Sequence, residues 1–154
     1  MRGVRLYACQ SRLSRQPALA GLKHLNRLEQ VLARREWHDP RYFEGLMLDT
    51  EHHVIECVSS NLFMAHDGGL FTPGLEQCGV GGVLRRLIID DLAPALGLEV
   101  EVTSLTIKDL MDADEIFLCN SVIGVLPVIE YASGRWPPGP LTRRLQAAVD
   151  HVFA

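Results

Sequence analysis

The spacing of apolar residues along the chain predicts several short strands interleaved with a few helices. Apolar runs bounded by turn residues predict strands, over residues 4–9, 44–48, 53–57, 61–65, 70–72, 99–102, 115–119 and 125–131. Apolar residues at helical spacing predict helices, over residues 83–96, 107–111 and 141–153, and from Leu25 until the pattern fades at Trp37. The mixture of elements indicates an α+β domain.

Turn signals join neighbouring predicted strands into hairpins. Residues 49–52 are polar and residues 66–69 read His-Asp-Gly-Gly, and each set lies between two predicted strands. Residues 11–18 are mostly polar and end near a proline, which predicts a loop. This loop leads to a segment at residues 19–30 that stands just before the first predicted helix. Strands in hairpin order predict a sheet that is mostly antiparallel.

Composition and charge narrow the classes of function. The 154 residues are 47% hydrophobic and 22% charged, which is typical of one globular domain with a buried core. A formal net charge of -4, without a basic cluster, disfavours nucleic acid and anionic membranes as partners. No apolar run has the length of a membrane span and the first residues lack a signal-peptide pattern, so we expect a cytoplasmic protein.

The cysteines and histidines do not form a metal-binding pattern. The four cysteines are scattered without a Cys-x-x-Cys pair, so we expect buried free thiols rather than a zinc site or disulfides. His52 and His53 are adjacent, and adjacent residues of a strand point to opposite faces. No acidic group and histidine together complete a ligand set. We therefore expect no catalytic metal.

The lysines limit any chemistry that needs a side-chain amine. Of the 15 basic residues, only Lys23 and Lys108 are lysines, and arginine stays protonated and cannot act as an amine nucleophile. Lys108 lies at a charged helix start. Lys23 lies between apolar neighbours, with Gly21 allowing close backbone approach and Arg27 disfavouring a second positive charge, which suits Schiff-base chemistry. From the spacing alone, a lysine that extends to solvent at a helix start remains the alternative.

A resemblance to a known family gives this segment a role. Residues 20–32 resemble the cofactor-lysine segment of the aminodeoxychorismate lyases, which belong to the fold-type IV (class IV aminotransferase-like) pyridoxal-phosphate enzymes. The resemblance continues, in family order, through residues 55–63, 79–85 and 113–121. It implies a twisted, barrel-like, mostly antiparallel sheet flanked by helices. It also implies that residues 1–154 form a single domain like the C-terminal cofactor-binding domain, and that the smaller N-terminal domain of the family is absent.

The resemblance assigns the groups that would hold pyridoxal 5'-phosphate. Lys23 is the catalytic lysine that binds the cofactor aldehyde, and Glu56, which precedes Asn61-Leu62-Phe63, faces the ring nitrogen. From periodicity alone Glu56 would be a solvent-facing strand residue. Ser59 and Ser60 follow it, and they either contact the ring or hold the turn after the strand.

The glycine-rich stretch at residues 79–82 precedes a predicted helix, whose first N–H groups can bind an anion. A glycine-rich helix start is often only a tight turn. The resemblance implies that the phosphate binds to the backbone amides of Val83 and Leu84 and to the hydroxyl of Ser121. Asn120, beside Ser121, is implied to contact the substrate.

The resemblance implies a lyase that converts 4-amino-4-deoxychorismate to 4-aminobenzoate and pyruvate for folate biosynthesis. It implies a homodimer if the dimer surface of the family is intact without the N-terminal domain. A branched-chain aminotransferase would be expected to carry a tyrosine shortly after its lysine, whereas this chain has none at residues 24–28. The alternatives are a class IV aminotransferase acting on D-amino or branched-chain amino acids, and a non-catalytic fragment. The fragment is an alternative because the family's N-terminal domain supplies an arginine to the phosphate and one wall of the substrate pocket.

Overall fold

A computed structural model describes residues 3–153 as an α+β fold built on one large sheet. The strands are β1 (Val4–Leu13), β2 (Tyr42–Asp49), β3 (Val54–Cys57), β4 (Asn61–His66), β5 (Gly69–Pro73), β6 (Val100–Thr103), β7 (Glu115–Asn120), β8 (Gly124–Tyr131) and β9 (Gly134–Arg135). The helices are α1 (Leu28–Arg34), α2 (Val83–Leu87), α3 (Ala93–Ala95), α4 (Ile107–Met111) and α5 (Pro140–Phe153). A π-helical turn, Ile88–Leu92, joins α2 to α3 without a break in the helical backbone.

The sheet has the strand order β3-β2-β1-β8-β7-β4-β5-β6, with β9 paired to β8. Most neighbouring pairs are antiparallel, while β1 runs parallel to both β2 and β8, and β5 runs parallel to β6. Both predicted hairpins, β2–β3 and β4–β5, are present. The sheet curls so that its two ends meet, because Val54 at the start of β3 donates a 2.8 Å hydrogen bond to the carbonyl of Leu105, just after β6. The expected twisted, barrel-like sheet flanked by helices is therefore confirmed.

Alternation along the central strands creates two apolar cores, one on each face of the sheet. Leu62 and Met64 of β4 pack into one core, and Phe63 packs into the other. There Phe63 stacks on Phe117 of β7 with ring centroids 5.0 Å apart. Helix α5 covers this second core with Leu145 and its neighbours. Because Asn61 precedes Leu62 on β4, its side chain points to the helix-covered face.

The first strand is longer than the sequence predicts. Residues 11–13 continue β1, and Leu13 pairs with Asp49 of β2. The prediction of a loop from Ser11 is wrong for these residues. The carboxylate of Glu36 accepts hydrogen bonds from the backbone N–H groups of Gln10 and Ser11 and so supports polar residues in extended conformation.

Helix α1 begins at Leu28, not at Leu25, so the predicted start of this helix is wrong. Arg27 is its N-cap, and the preceding residues are extended or turn. The apolar stripe that predicts the helix faces solvent, since the exposed fractions are 64% for Leu28 and 55% for Val31. The buried residues of α1 are Gln30 and Ala33. The apolar face of α1 is therefore uncovered in this chain.

The remaining sequence-based expectations about the core agree with the structure. All four cysteines are buried and free.

Helix α5 begins at a carboxylate from the sheet, because the buried Glu115 accepts hydrogen bonds from the backbone N–H groups of Leu141 and Thr142. Within residues 3–153, no helix combines the length and the apolar composition that crossing a membrane requires.

Candidate active site

Lys23 lies in the extended segment between β1 and α1, and its side chain is exposed. Arg27 clamps the backbone on both sides of it, because its guanidinium donates to the carbonyl of Leu22 at 2.7 Å and to that of His24 at 3.0 Å. These contacts hold the backbone on both sides of Lys23, and the lysine side chain remains exposed. Arg27 therefore positions the segment as well as adding positive charge beside it.

The Lys23 segment, residues 19–30, pairs with the glycine-rich loop, residues 79–82. The N–H of Gly21 donates to the carbonyl of Gly79, and the carbonyl of Gly21 accepts from the N–H of Gly81, each at 2.9 Å. Gly21 has a φ of +77°, which favours glycine. A side chain at Gly81 would lie only 3.3 Å from the carbonyl oxygen of Gly21. The glycines thus permit close backbone contact between the two segments.

Glu56 lies on β3 with only 4% of its surface exposed. Its Oε2 atom accepts hydrogen bonds from the N–H of Val80 at 2.9 Å and from Nδ2 of Asn61 at 3.3 Å. Burial raises the pKa of Glu56 to about 7, against the opposing effects of the Val80 hydrogen bond and the positive charges of Arg27 and Arg85. A buried carboxylate without a direct cationic partner is costly in the charged form, so this site favours a cation placed against it.

Val80 brings the lysine segment and the carboxylate together. Its backbone forms an isolated bridge with Gly21 on one side, and its N–H binds Glu56 on the other. Glu56, the glycine-rich loop and the segment that carries Lys23, which are far apart in sequence, therefore meet around one residue. Schiff-base chemistry on a cationic ring needs both an amine and a carboxylate, and these segments supply one of each.

The start of α2 offers unoccupied backbone donors. Gly82 is the N-cap in an extended conformation, and no side chain of the described residues caps this helix. The first N–H groups of a helix have no acceptor within the helix, so those of Val83 and Leu84 are free to bind an anion. Val83 is 76% exposed and Leu84 is buried, so the backbone of Leu84, rather than its side chain, could face a ligand. Their role in phosphate binding stays a prediction.

Ser59 and Ser60 both bind a buried carboxylate on the neighbouring strand. Oε2 of Glu44 accepts from the N–H of Ser59 at 3.0 Å, from the hydroxyl of Ser59 at 2.7 Å and from that of Ser60 at 3.0 Å. Each hydroxyl proton is used in this way, while each oxygen can still accept a hydrogen bond. Ser59 is exposed and Ser60 is buried. Contact of either serine with a cofactor ring stays a prediction.

Asn120 and Ser121 lie at the end of β7 next to Ser59. Nδ2 of Asn120 donates to the carbonyl of Ser59 at 2.9 Å, and its Oδ1 accepts from the N–H groups of Val122 and Ile123. Asn120 thereby brings the exposed turn at Ser121 to the rim formed by Ser59. One N–H of its amide is not used in these bonds, and the contact of Asn120 with substrate stays a prediction.

A cavity of about 380 Å³ lies beside the Lys23 segment. Its lining includes His24, Arg27 and Gly79, but not Lys23 or Glu56. The predicted cofactor contacts therefore lie outside this cavity.

One group of potential metal ligands lies at the β4–β5 turn. His66, Asp67 and Asp114 each place a ligand atom within 4.8 Å of the others, at the opposite end of β4 from Asn61. His52 lies in the predicted turn between β2 and β3, whereas His53 precedes β3 instead of beginning it, and His53 contacts Asp49. Neither set belongs to the arrangement around Val80.

Comparison with known proteins identifies the family of this chain. The family model of the amino-transferase class IV family matches residues 2–131. The chain belongs to this family. This chain is 46% identical over 153 residues to an aminodeoxychorismate lyase of Vibrio harveyi, and the match covers 97% of this chain and 56% of that protein.

A solved structure and a second relative extend the comparison. The crystal structure of 4-amino-4-deoxychorismate lyase from Pseudomonas aeruginosa has a TM-score of 0.94 and 50% identity, and the match covers 97% of this chain and 55% of that one. A branched-chain-amino-acid aminotransferase of Escherichia coli is 35% identical over 133 residues, which are 83% of this chain and 42% of that protein. This chain thus spans about half the length of the relatives that it matches.

Sequence reasoning missed two polar residues of this site. Asn61 binds both Glu56 and the carbonyl of Val80, and Glu44 holds Ser59 and Ser60. Glu44 lies at the start of a predicted apolar strand, a pattern that by itself does not distinguish a buried carboxylate from a solvent-facing one. Asn61 carries no signal either, because asparagine at the start of a strand is common in turns.

Proposed function

We propose that this chain is the cofactor-binding part of a pyridoxal-phosphate-dependent lyase that converts 4-amino-4-deoxychorismate to 4-aminobenzoate and pyruvate, a step that supplies folate biosynthesis. The observation that carries the proposal is the meeting of the Lys23 segment, Glu56 and the glycine-rich loop around Val80. Membership of the amino-transferase class IV family supports the choice of cofactor.

The donors present suit this cofactor at each of its ends. Oε2 of Glu56 is engaged by Val80 and Asn61, whereas Oε1 has no hydrogen bond from residues 3–153, so it is free to accept from a protonated ring nitrogen. The uncapped N–H groups of Val83 and Leu84 suit a phosphate. Lys23 would hold the aldehyde, Ser121 would add a hydroxyl to the phosphate, and Ser59 and Ser60 would contact the ring.

The bound cofactor supplies a cationic ring that accepts the electrons released at the substrate α-carbon. Glu56 would hold the ring nitrogen in its protonated form, because the ionised carboxylate is stabilised by a positive charge placed against it. The amine of Lys23 would act as the general base for the α-proton and would return a proton later. Arg27 binds the carbonyls of Leu22 and His24, so the backbone that carries Lys23 is held in place.

The lyase reaction is favoured over transamination by the higher identity to the lyases of Vibrio harveyi and Pseudomonas aeruginosa, 46% and 50%, than to the branched-chain aminotransferase of Escherichia coli, 35%. The experiment is to incubate the chain and pyridoxal phosphate with 4-amino-4-deoxychorismate and to measure 4-aminobenzoate and pyruvate. Equal amounts of both products support the lyase. Cofactor binding without either product would contradict it.

A class IV aminotransferase is the second candidate, favoured by the similarity to the branched-chain enzyme. Supplying D-alanine or a branched-chain amino acid with 2-oxoglutarate tests it, because only an aminotransferase would form a new keto acid and glutamate. A non-catalytic role would instead give cofactor binding without turnover in either assay.

The same proposal covers partners and location. We place the protein in the cytoplasm because its four cysteines are buried and free, as is usual in a reducing compartment. We also propose a homodimer, supported by the uncovered apolar face of α1, since contiguous exposed apolar surface is typical of association sites. The substrate is a small molecule, and the net charge of -4 gives no general attraction to nucleic acid or membranes.

A further inference from the structure

The side chain of Asn61 lies between Glu56 and the glycine-rich loop. Its Nδ2 atom donates to the carbonyl of Val80 at 2.8 Å and to Oε2 of Glu56 at 3.3 Å. Both partners are acceptors only, so the amide has one allowed orientation, with the nitrogen toward them. Asn61 is 6% exposed, and its backbone pairs with Cys119 in the centre of the sheet. The side chain is thus anchored on a rigid element.

The same amide also touches the other end of the loop. A side chain at Gly82 would place its Cβ atom only 2.3 Å from Oδ1 of Asn61, so glycine permits the close approach of the loop. Gly82 is the N-cap of α2, whose first N–H groups are the predicted phosphate donors. Asn61 therefore contacts the carboxylate, the middle of the loop at Val80 and the helix start.

We propose that Asn61 is a positioning residue that couples the carboxylate of Glu56 to the glycine-rich loop, Gly79–Gly82. Through this coupling the group that faces the ring nitrogen and the donors that face the phosphate are held at a fixed separation. The inference deepens the proposed function and rests on it for the identity of the ligand.

The hydrogen bonds explain why one side chain serves both ends. Glu56 Oε2 is held by two donors, Val80 N–H and Asn61 Nδ2, so the carboxylate cannot rotate without breaking one of them. Both backbone polar groups of Val80 are engaged, since its N–H donates to Glu56 and its carbonyl accepts from Asn61. Removing the amide frees the carboxylate and the loop together.

The first experiment measures the affinity of wild type and Asn61→Ala for three ligands. These are pyridoxal phosphate, pyridoxal without the phosphate, and the analogue of pyridoxal phosphate in which C–H replaces the ring nitrogen. The matched control is Thr72→Val, which removes another buried hydrogen bond of the sheet, the 2.8 Å bond from the Thr72 hydroxyl to the Leu62 carbonyl.

We expect Asn61→Ala to weaken pyridoxal phosphate binding about ten- to a hundredfold, as hydrogen bonds to a charged group are lost. The loss should be smaller, but still present, for each analogue, because each analogue keeps one of the two coupled ends. An equal loss for all three ligands, or a loss matched by Thr72→Val, would overturn the proposal. A loss that disappears completely for one analogue would also overturn it, because Asn61 would then serve one end alone.

The second experiment needs no cofactor and separates this inference from the proposed function. NMR titration of carboxyl carbons, with Glu56 assigned by its disappearance in Glu56→Gln, reports the protonation of Glu56. Arg27 and Arg85 favour its ionised form and Glu44 disfavours it, and these charges are the same in the variants. Asn61→Ala should shift the Glu56 titration to higher pH, because a donor to the ionised form is lost, and Thr72→Val should leave it unchanged. An unshifted titration in Asn61→Ala contradicts the coupling even if wild type binds no cofactor.

Gly82→Ala tests the contact with the helix start. Alone it should destabilise the protein, and in the Asn61→Ala background it should cost much less, because the clashing amide is gone. Additive losses would contradict the contact. If Asn61→Ala does not fold, Asn61→Ser replaces it in all three assays, with the same expected directions.

Discussion

The backbone N–H of Val80 donates a 2.9 Å hydrogen bond to Oε2 of Glu56 and so joins the glycine-rich loop to β3. Through the pairing of Val80 with Gly21, the same contact brings the Lys23 segment against this loop. The site therefore depends on Glu56 being buried at this junction, which has consequences for stability as well as for binding.

Burial of Glu56 predicts a distinctive dependence of stability on pH in the absence of cofactor. The folded-state pKa is raised by burial from 4.5 to about 7, so the folded protein binds more protons than the unfolded chain between these values. The contribution of Glu56 is fully present below pH 4.5 and is lost as the pH rises through about 7. Wild type should lose on the order of 3 kcal/mol relative to Glu56→Gln over this range. Denaturant unfolding at several pH values, followed by tryptophan fluorescence, measures the difference, and a constant difference would contradict the burial.

Glu44→Gln should weaken the arrangement of the two serines. Oε2 of Glu44 accepts three hydrogen bonds from Ser59 and Ser60, and the neutral amide oxygen of glutamine is a weaker acceptor than a carboxylate oxygen. We expect a loss of about 1–3 kcal/mol in the free energy of unfolding, together with weaker cofactor binding. A double-mutant cycle with Ser60→Ala provides the control, since partners in one network should give non-additive losses. Fully additive effects would mean that the contact carries no energy.

Glu115→Gln should destabilise the start of α5. The buried Glu115 carboxylate accepts from the N–H groups of Leu141 and Thr142 and from the Thr142 hydroxyl, at 2.7–3.1 Å. Replacing one oxygen by NH₂ sets a donor against these donors, which should cost about 2 kcal/mol of unfolding free energy. The exposed Glu99→Gln is the matched control and should change nothing. If both variants unfold alike, the carboxylate is not what holds the helix start.

The uncovered face of α1 should mediate self-association. Leu28 and Val31 are more than half exposed, which is costly for a monomer with its other apolar residues packed. Wild type should sediment as a dimer, and the double variant Leu28→Asp/Val31→Asp should sediment as a monomer with unchanged circular dichroism. Val102→Asp, at the exposed edge strand β6, is the control and should stay dimeric. A monomeric wild type at all concentrations would remove the homodimer from the proposal.

Much of the fold could be predicted from local patterns. The β2–β3 and β4–β5 hairpins follow from apolar runs around polar or glycine-containing turns, because both strands and the turn are neighbours in sequence. The start of α1 could not be predicted in this way. The periodicity of apolar residues does not show whether those residues are buried. Leu25 fits the helical spacing but is fully exposed and lies outside the helix.

Polar contacts between residues far apart in sequence could not be predicted from local patterns either. Ser11 belongs to β1, where its backbone N–H donates a hydrogen bond to the carboxylate of Glu36. The orientation of the Asn61 side chain depends on Val80 and Gly82. None of these partners is adjacent in sequence, so no local pattern reports the contact. The family resemblance supplied Lys23 and Glu56, but it did not indicate the residues that hold them in place.

The central claim is that Lys23 forms the covalent bond to the cofactor, and reductive trapping tests it most directly. The chain is incubated with pyridoxal phosphate, reduced with borohydride, digested and mapped by mass spectrometry. Lys108 is the internal control, because it is exposed and pairs with Asp112 at 2.9 Å, away from Glu56. The account predicts a stoichiometric adduct at Lys23 that disappears in Lys23→Arg and persists in Lys108→Arg. An adduct at Lys108, or no adduct at either lysine, would contradict it.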